Sequence, residues 1–438
     1  MATTVTQTQS WISRLGGSFK NVLFGIVLFI VAFPVLFNNE GRAIRRAKVL
    51  DEGRGAVVSL PSSDNVDPAN EGKLVHVTGK TRTSDTLQDS DFGVAVQNKI
   101  RLVRKVSMFQ WHESTSTSSK EKLGGAQETT TTYTYSKGWA DYPVSSDKFM
   151  EKEHDNPPFP SLMTSEQQAA TVTFGAFSLP PEIVSRIRDE KPIAVAPDDV
   201  NDNFAKFAAG GVLYIPANPE KSAQVLSNSD KAITANATNT ISASSGVTNA
   251  VEETGAATNN VVQVAKDILV NPMSTISPDI GDIKVEFFAT DESDLSVISV
   301  QKGETFVPYA SKKGQLQLVS MGIHSADEMF LAAEKSNKFL TWLLRVAGFM
   351  LMYIGLKTIL GPIAMLGAVV PFVKKILDFG VGVVAFGIAL ICALSVCAIA
   401  WLFYRPLYSA VLGVAIVVVI FWMLRKKHSR KSAEQPAQ

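Results

Sequence analysis

Residues 22–37 read VLFGIVLFIVAFPVLF, an uncharged apolar run entered by Gly17, Ser18, Phe19 and Lys20 and extending back toward Leu15. A helix needs about 20 mainly apolar residues, at about 1.5 Å each, to cross a hydrocarbon core of about 30 Å. Asn38, Asn39 and Glu40 follow where a secretory signal would carry a small-x-small cleavage site. The run therefore predicts an uncleaved transmembrane helix over 21–37, preceded by a cytoplasmic tail, 1–20.

The same reading applied to the other end predicts three more spans. The second, 339–358, is apolar except near its ends, where Arg345 follows Trp342. Arg345 lies one turn inside the interface that Trp342 marks, and is expected to snorkel its guanidinium outward. The third, 379–404, is uncharged, and after Arg405 and Pro406 a fourth, 406–424, continues to Leu424; Trp401, Phe403, Tyr404 and Tyr408 form an aromatic belt at the junction. Residues 359–378, with Gly361, Pro362 and Pro371, read as a broken or interfacial connection. The tail RKKHSRK, within 425–438, and Lys374 with Lys375 place both on the cytoplasmic side by the positive-inside rule. Residues 38–338 then lie outside or in a lumen, although Arg42, Arg45, Arg46 and Lys48 sit on that outer side against the rule.

The overall charge, 42 Lys+Arg against 41 Asp+Glu, offers no polybasic surface, so nucleic acid is not an expected partner. The two cysteines, Cys392 and Cys397, both fall in an apolar run, so the middle domain has neither disulfides nor thiolate metal sites. In 99–110, Ile100, Leu102, Val106 and Met108 alternate with Arg101, Lys105 and Ser107, the period of a half-buried strand. Segments 73–79, 129–135, 171–177, 283–288 and 295–301 have similar β-branched and aromatic content. A helix is expected from Pro181, burying Ile183, Val184 and Ile187, and another from Ser325, whose capping box with Glu328 leads toward the second span. From 218 to 271 an Ala, Thr, Asn, Ser and Val composition without period reads as a lightly packed insertion, with a glycosylation triplet at Asn236. The fold class is a multi-pass α-helical membrane protein with a large α+β, strand-rich extramembrane domain.

Chemistry is sparse. His76, His112, His154, His324 and His428 form no metal-ligand spacing, and no nucleophile elbow, phosphate loop or dinucleotide fingerprint occurs. His112 beside Glu113, and His324 near Asp327 and Glu328, are the nearest things to acid/base pairs, and a strand end or helix cap explains each as well. Acidic residues are missing from the middle of the expected spans, which leaves no ion relay. The expectation is a protein that is not an enzyme and carries no cofactor.

Several blocks resemble one family throughout the chain and in order: NNEGRAIRRAKVLDEG from Asn38, NEGKLVHVTGKTRTSD from Asn70, FQWHE from Phe109, VPYASKKG from Val307, SNKFLTWLLRVAGFMLMYIGL from Ser336 and WLFYRPL from Trp401. The chain is identified on these as resembling the LUMA (transmembrane protein 43) family. The resemblance implies four spans, a lumenal domain between the first two, self-association, and in animals a place in the endoplasmic reticulum and inner nuclear membrane with lamins and emerin as partners; in a bacterium the site would be the cell membrane. It departs from the family between the segment from Gly210 to Pro219 and that from Pro278 to Phe287, which the 218–271 insertion separates.

The expected function is a non-enzymatic membrane-organising scaffold, homo-oligomeric, in contact with membrane lipids and with other membrane or envelope proteins. The motif residues Asn39, Glu40, Gly41, Arg42, Trp111, Trp342, Arg345, Trp401, Tyr404, Arg405 and Pro406 are the candidates for a structural junction where domain meets bilayer. For residues 39–42, a simple helix end with snorkelling arginines is the other reading. The alternative function is a sensing protein whose outer domain binds a lipid, glycan or peptide. A hydrolase would require His112, His154 or His324 to meet carboxylates in three dimensions.

Overall fold

The computed structural model describes residues 2–195, 207–209, 212–218, 278–406 and 414. The insertion beyond residue 218, the fourth span beyond Pro406, the basic tail and His428 lie outside the described residues.

Helix α1 runs Trp11–Ala56 without interruption, opened by the Ser10 hydroxyl accepting from the Ser13 amide at 3.3 Å. At 46 residues it is about 69 Å long, more than a bilayer core requires. The reading of residues 39–42 as a helix end is thereby corrected. The helix continues past Phe37 because its polar residues find partners on a neighbouring helix, described below. Helix α2, Ala326–Ile359, starts at the expected capping box and carries the 339–358 residues in the same rod. A short helix α3, Gly361–Leu366, and a 3-10 turn, Gly367–Val369, lead to α4, Pro371–Tyr404. The break is thus confined to the residues around Leu360 and Val370. Pro371 takes the first turn of α4, where its missing N–H costs nothing, so Lys374 and Lys375 are helical rather than part of a loop. Helices α1, α2 and α4 are each long and apolar enough to cross a membrane. They pack through Ala32, Leu36, Met352, Ala389 and Ala393.

The strands form two main antiparallel sheets, face to face over one core. The first places β1, Ala2–Gln9, beside β4, Gln127–Ala140, then β3, Lys99–Glu121, then β5, Ile283–Asp291, with Val212–Ile215 beyond it. The second is centred on β2, Leu74–Arg82, and β6, Asp294–Lys302. Ile100, Leu102 and Val106 of one sheet meet Val75, Val77 and Val297 of the other. The expected buried face of β3 is present, but its polar face is not open over the first residues. Arg101 is 1 % exposed, because the strand Ser165–Gln168 pairs alongside β3, and Glu166, Gln168 and the Ser185 carbonyl take up the guanidinium. The outer face of the second sheet is covered by the helices: Val49 and Leu50 of α1 and Met329 and Phe330 of α2 pack on Leu74 and Ile298. The long helices therefore leave the apolar bundle and become part of the domain's core.

The tail expected over 1–20 holds a strand, β1, and the start of α1. Ala2–Gln9 pairs residue for residue with β4, from Ala2 opposite Thr134 to Gln9 opposite Gln127. Its sequence, ATTVTQTQ, is uncharged and rich in β-branched residues, which favours a strand wherever a partner edge exists. The partner is a hairpin of β3 and β4 that projects beyond the sandwich and turns at Gly124 and Gly125, both at positive φ. At its tip Arg14 donates to Glu121 and to the Gly125 carbonyl, each at 2.6 Å, and Trp11 Nε1 donates to the Met365 carbonyl at 3.0 Å.

Candidate functional site

The sequence NNEGR occupies α1 where it leaves the apolar run, and α2 passes it with Asn337, Thr341 and Arg345 spaced one turn apart. Polar groups at such a place must satisfy one another, since neither lipid nor core will. Glu40 is 2 % exposed, and its two oxygens accept from Arg345 Nε at 2.6 Å and Nη2 at 2.9 Å, the bidentate fork that suits a guanidinium to a carboxylate. Arg345 thus does not simply snorkel to water. A buried anion on the facing helix holds it, and its Cζ lies 4.9 Å from the Trp342 ring centroid. One turn along, Arg42 donates to Asn337 Oδ1 at 3.0 Å, Asn39 Oδ1 at 3.2 Å and Thr341 Oγ1 at 3.1 Å. Asn39 donates to the Thr341 carbonyl and Asn337 to the Ala43 carbonyl, both at 3.0 Å, so each helix hydrogen-bonds the other's backbone.

The third helix closes the cluster. A Cβ at Gly41 would lie 2.4 Å from Tyr404 Cζ, so α4 can approach α1 there only because that residue has no side chain. Tyr404 packs on Phe37 with centroids 5.4 Å apart and lies under Arg45 at 5.8 Å. Arg405 lies over Trp401 at 5.2 Å. A cavity of about 440 Å³ opens between Glu40, Thr341, Trp342, Arg345, Trp401 and Arg405. Asn39, Glu40, Gly41, Arg42, Trp342, Arg345, Trp401, Tyr404 and Arg405 are therefore brought together, and Pro406 follows directly at the end of the described helix. Trp111 is elsewhere, on β3, with His154 4.3 Å from its ring and Lys137 4.7 Å above it. Asn337 and Thr341 are partners that sequence reasoning missed. Their signal was an i, i+4 polar pair entering an apolar helix.

The histidines do not converge. His76 Nε2 lies 2.9 Å from the His324 carbonyl, and His324 Nε2 2.9 Å from the Met321 carbonyl, at the start of α2. His112 is on β3, opposite Ser136. Two histidines meet a carboxylate, His324 with Glu328 at 4.0 Å and His154 with Glu151 at 3.2 Å, but His154 is stacked on the Tyr135 ring at 4.1 Å, and among the described residues no hydroxyl or thiol is hydrogen-bonded to its imidazole. Among the described residues no group of three or more His, Cys, Asp or Glu could hold a metal. Glu40 pairs with Arg345, Asn39 with Thr341 and Asn337 with Ala43 across the helices, an arrangement suited to fixing helices in place.

A family profile described as transmembrane protein 43 matches residues 108–406. Transmembrane protein 43 of Rattus norvegicus is 31% identical over 426 residues, 94% of this chain and 91% of that protein. The Homo sapiens protein of the same name is 29% identical over 427 residues, with the same coverage of each chain. A transmembrane protein 43 homolog of Drosophila melanogaster is 23% identical over 415 residues, 92% of this chain and 94% of that protein. No solved structure matches the chain.

Proposed function

Because the chain belongs to the transmembrane protein 43 family, we propose that it is a multi-pass, non-enzymatic membrane-organising scaffold, assembling with copies of itself and with other membrane or envelope proteins. In a eukaryote its place is the endoplasmic reticulum and inner nuclear membrane, and in a bacterium the cell membrane. The observation that supports this most is the edge strand β1. It ends the larger sheet, so its outer row of N–H and C=O groups has no strand beside it among the described residues. It carries no charge over its eight residues. Natural edges are ordinarily blocked by lysine, proline or a bulge, and an unblocked one is a template for another strand. A second copy of β1 is self-complementary to it. The polar junction contributes the other requirement of a scaffold, since it fixes α1, α2 and α4 against one another, and α1 and α2 carry Val49, Leu50, Met329 and Phe330 onto the sandwich.

Native mass determination of the full chain in nanodiscs tests the reading. A defined homo-oligomer is expected, and T4K with T6K, both exposed positions on β1, shifts it to smaller species. A monomer carrying a stoichiometric small molecule, unchanged by the two lysines, overturns it.

A further inference from the structure

Beside the junction lies a second cavity, of about 460 Å³, within the range of small-molecule sites. Four separate stretches of chain line it, residues 317–320 being one of them. Arg42 and Arg46, one turn apart, come from α1; Arg186 follows the one-turn helix Pro181–Val184; and Ser336, Asn337 and Leu340 come from α2. Arg186 is aimed here by its neighbours. Ile183, Val184 and Ile187 are buried in the sandwich core, leaving the guanidinium outside, where Nη1 donates to the Gln317 carbonyl at 3.1 Å.

The cavity lining holds no carboxylate. The contacts of Arg42 are all to neutral oxygens, and its Nε is buried with no partner among the described residues. Arg46 donates only weakly, to the Gln315 carbonyl at 3.4 Å, and burial, then the Arg186 charge, push its pKa down. Three guanidinium groups sharing a half-enclosed space without a counter-charge repel one another, and an anion relieves that cost. Guanidinium forks, unlike ammonium groups, match the oxygens of a phosphate. Gln317 and Ser320 add polar groups to the wall, and its apolar part runs from Met329 and Ala333 to Leu340, the last of which begins the apolar part of α2.

We propose that this cavity is a binding site for a phosphate-bearing anion, held by Arg42, Arg46 and Arg186. Two sources share that chemistry: the headgroup of an acidic phospholipid whose chains lie along Leu340, and a free phosphorylated small molecule. The site is independent of self-association through β1.

The test uses the full chain in phosphatidylcholine nanodiscs, titrated in one arm with phosphatidylinositol 4,5-bisphosphate in the disc and in the other with soluble inositol 1,4,5-trisphosphate, with binding read by native mass and fluorescence anisotropy. R46Q with R186Q is expected to weaken binding about tenfold or more, the loss of two charge-assisted contacts. R45Q, which removes the same charge from α1 outside the cavity, leaves it unchanged. Retention of the lipid alone assigns a headgroup site, and equal binding of the soluble phosphate assigns a free ligand. Binding that R45Q weakens as much as R46Q reflects surface charge only and overturns the proposal, as does the absence of binding in both arms. The oligomer mass is recorded on the same samples, so a failure here is distinct from a failure of the scaffold reading.

Discussion

Glu40 is a carboxylate that neither lipid nor the domain core can accommodate alone, and Arg345 is its counter-charge. Removing one member of a buried pair leaves the other desolvated, at a cost of about 3 kcal/mol or more. The Arg345 side chain is 30% exposed against 3% for Glu40, so R345A is expected to destabilise by about 3 kcal/mol and R345M with E40Q by much less. Thermal unfolding in nanodiscs, run as a double-mutant cycle, measures the difference. G41A is the steric counterpart. Its Cβ meets the Tyr404 ring, costing about 1–3 kcal/mol for overpacking, and Y404L restores part of the loss in the same assay. At the domain end of α1, Glu52 accepts from Ser311 at 2.7 Å and from Tyr309 at 3.0 Å. Ser311 foremost, then Tyr309, holds its pKa below the ordinary value. A depressed folded-state pKa contributes stability above the unfolded value, about 4.3 for Glu, and that contribution is lost as pH falls through the folded value. The protection factors of residues 309–316, with the intrinsic pH dependence of exchange divided out, should therefore fall on acidification below about pH 4.3, and E52Q should lower them already at neutral pH. Each of Glu40, Gly41 and Arg345 was visible in the sequence as a motif residue. What could not be read was that Glu40 and Arg345 are partners, because pairing across so many intervening residues is set by helix packing and leaves no local pattern.

At the scale of elements, the helix pair α1 and α2 rests on glycine. A Cβ at Gly25 would come within 2.8 Å of the Gly355 carbonyl oxygen, and one at Gly355 within 2.8 Å of both the Gly25 oxygen and the Phe29 amide. Backbone touches backbone there, and backbone cannot turn aside as a side chain can. G355L should separate the two helices at that end and lower the unfolding temperature more than L343A, which truncates an exposed residue of the same helix; equal shifts would refute a tight crossing. Helices were the most legible elements, since hydropathy marks the apolar stretch and the Ser325 capping box marks a start. The true length of α1 was hidden, because the polar turns after Phe37 look like a helix end until their cross-helix partners are known, whereas the run from Ser325 toward the second span was legible. The hairpin was half legible. Alternation shows β3 up to Gln110, but the hydroxyl-rich continuation to Glu121 has no apolar face and reads as loop. The same absence hid β1.

For the whole molecule, the consequence lies in where that polar sheet runs. β1 returns from the sandwich to the N-terminal end of α1, and its far end is tied to the bundle by Arg14 and Lys374 on Glu121. Thr3, at the other end of β1, donates to Glu151 beside the sandwich. The apolar stretch of α1 lies between those two levels, so a bilayer around it would sit at the depth of Ser114–Ser119 and Thr129–Thr134. An open sheet edge in hydrocarbon leaves backbone groups unpaired at several kcal/mol each, which no lipid-exposed structure tolerates. The sheet must therefore be screened from lipid by water or by a second copy, the same requirement that the unblocked edge of β1 imposes. Site-directed labelling in liposomes decides this, with Cys392 and Cys397 first replaced by alanine. T117C is expected to react with a water-soluble maleimide about as fast as K148C in the domain, while I26C, exposed on the apolar flank of α1, stays unreactive. A T117C as inert as I26C would place the hairpin in lipid and break the link between the open edge and assembly.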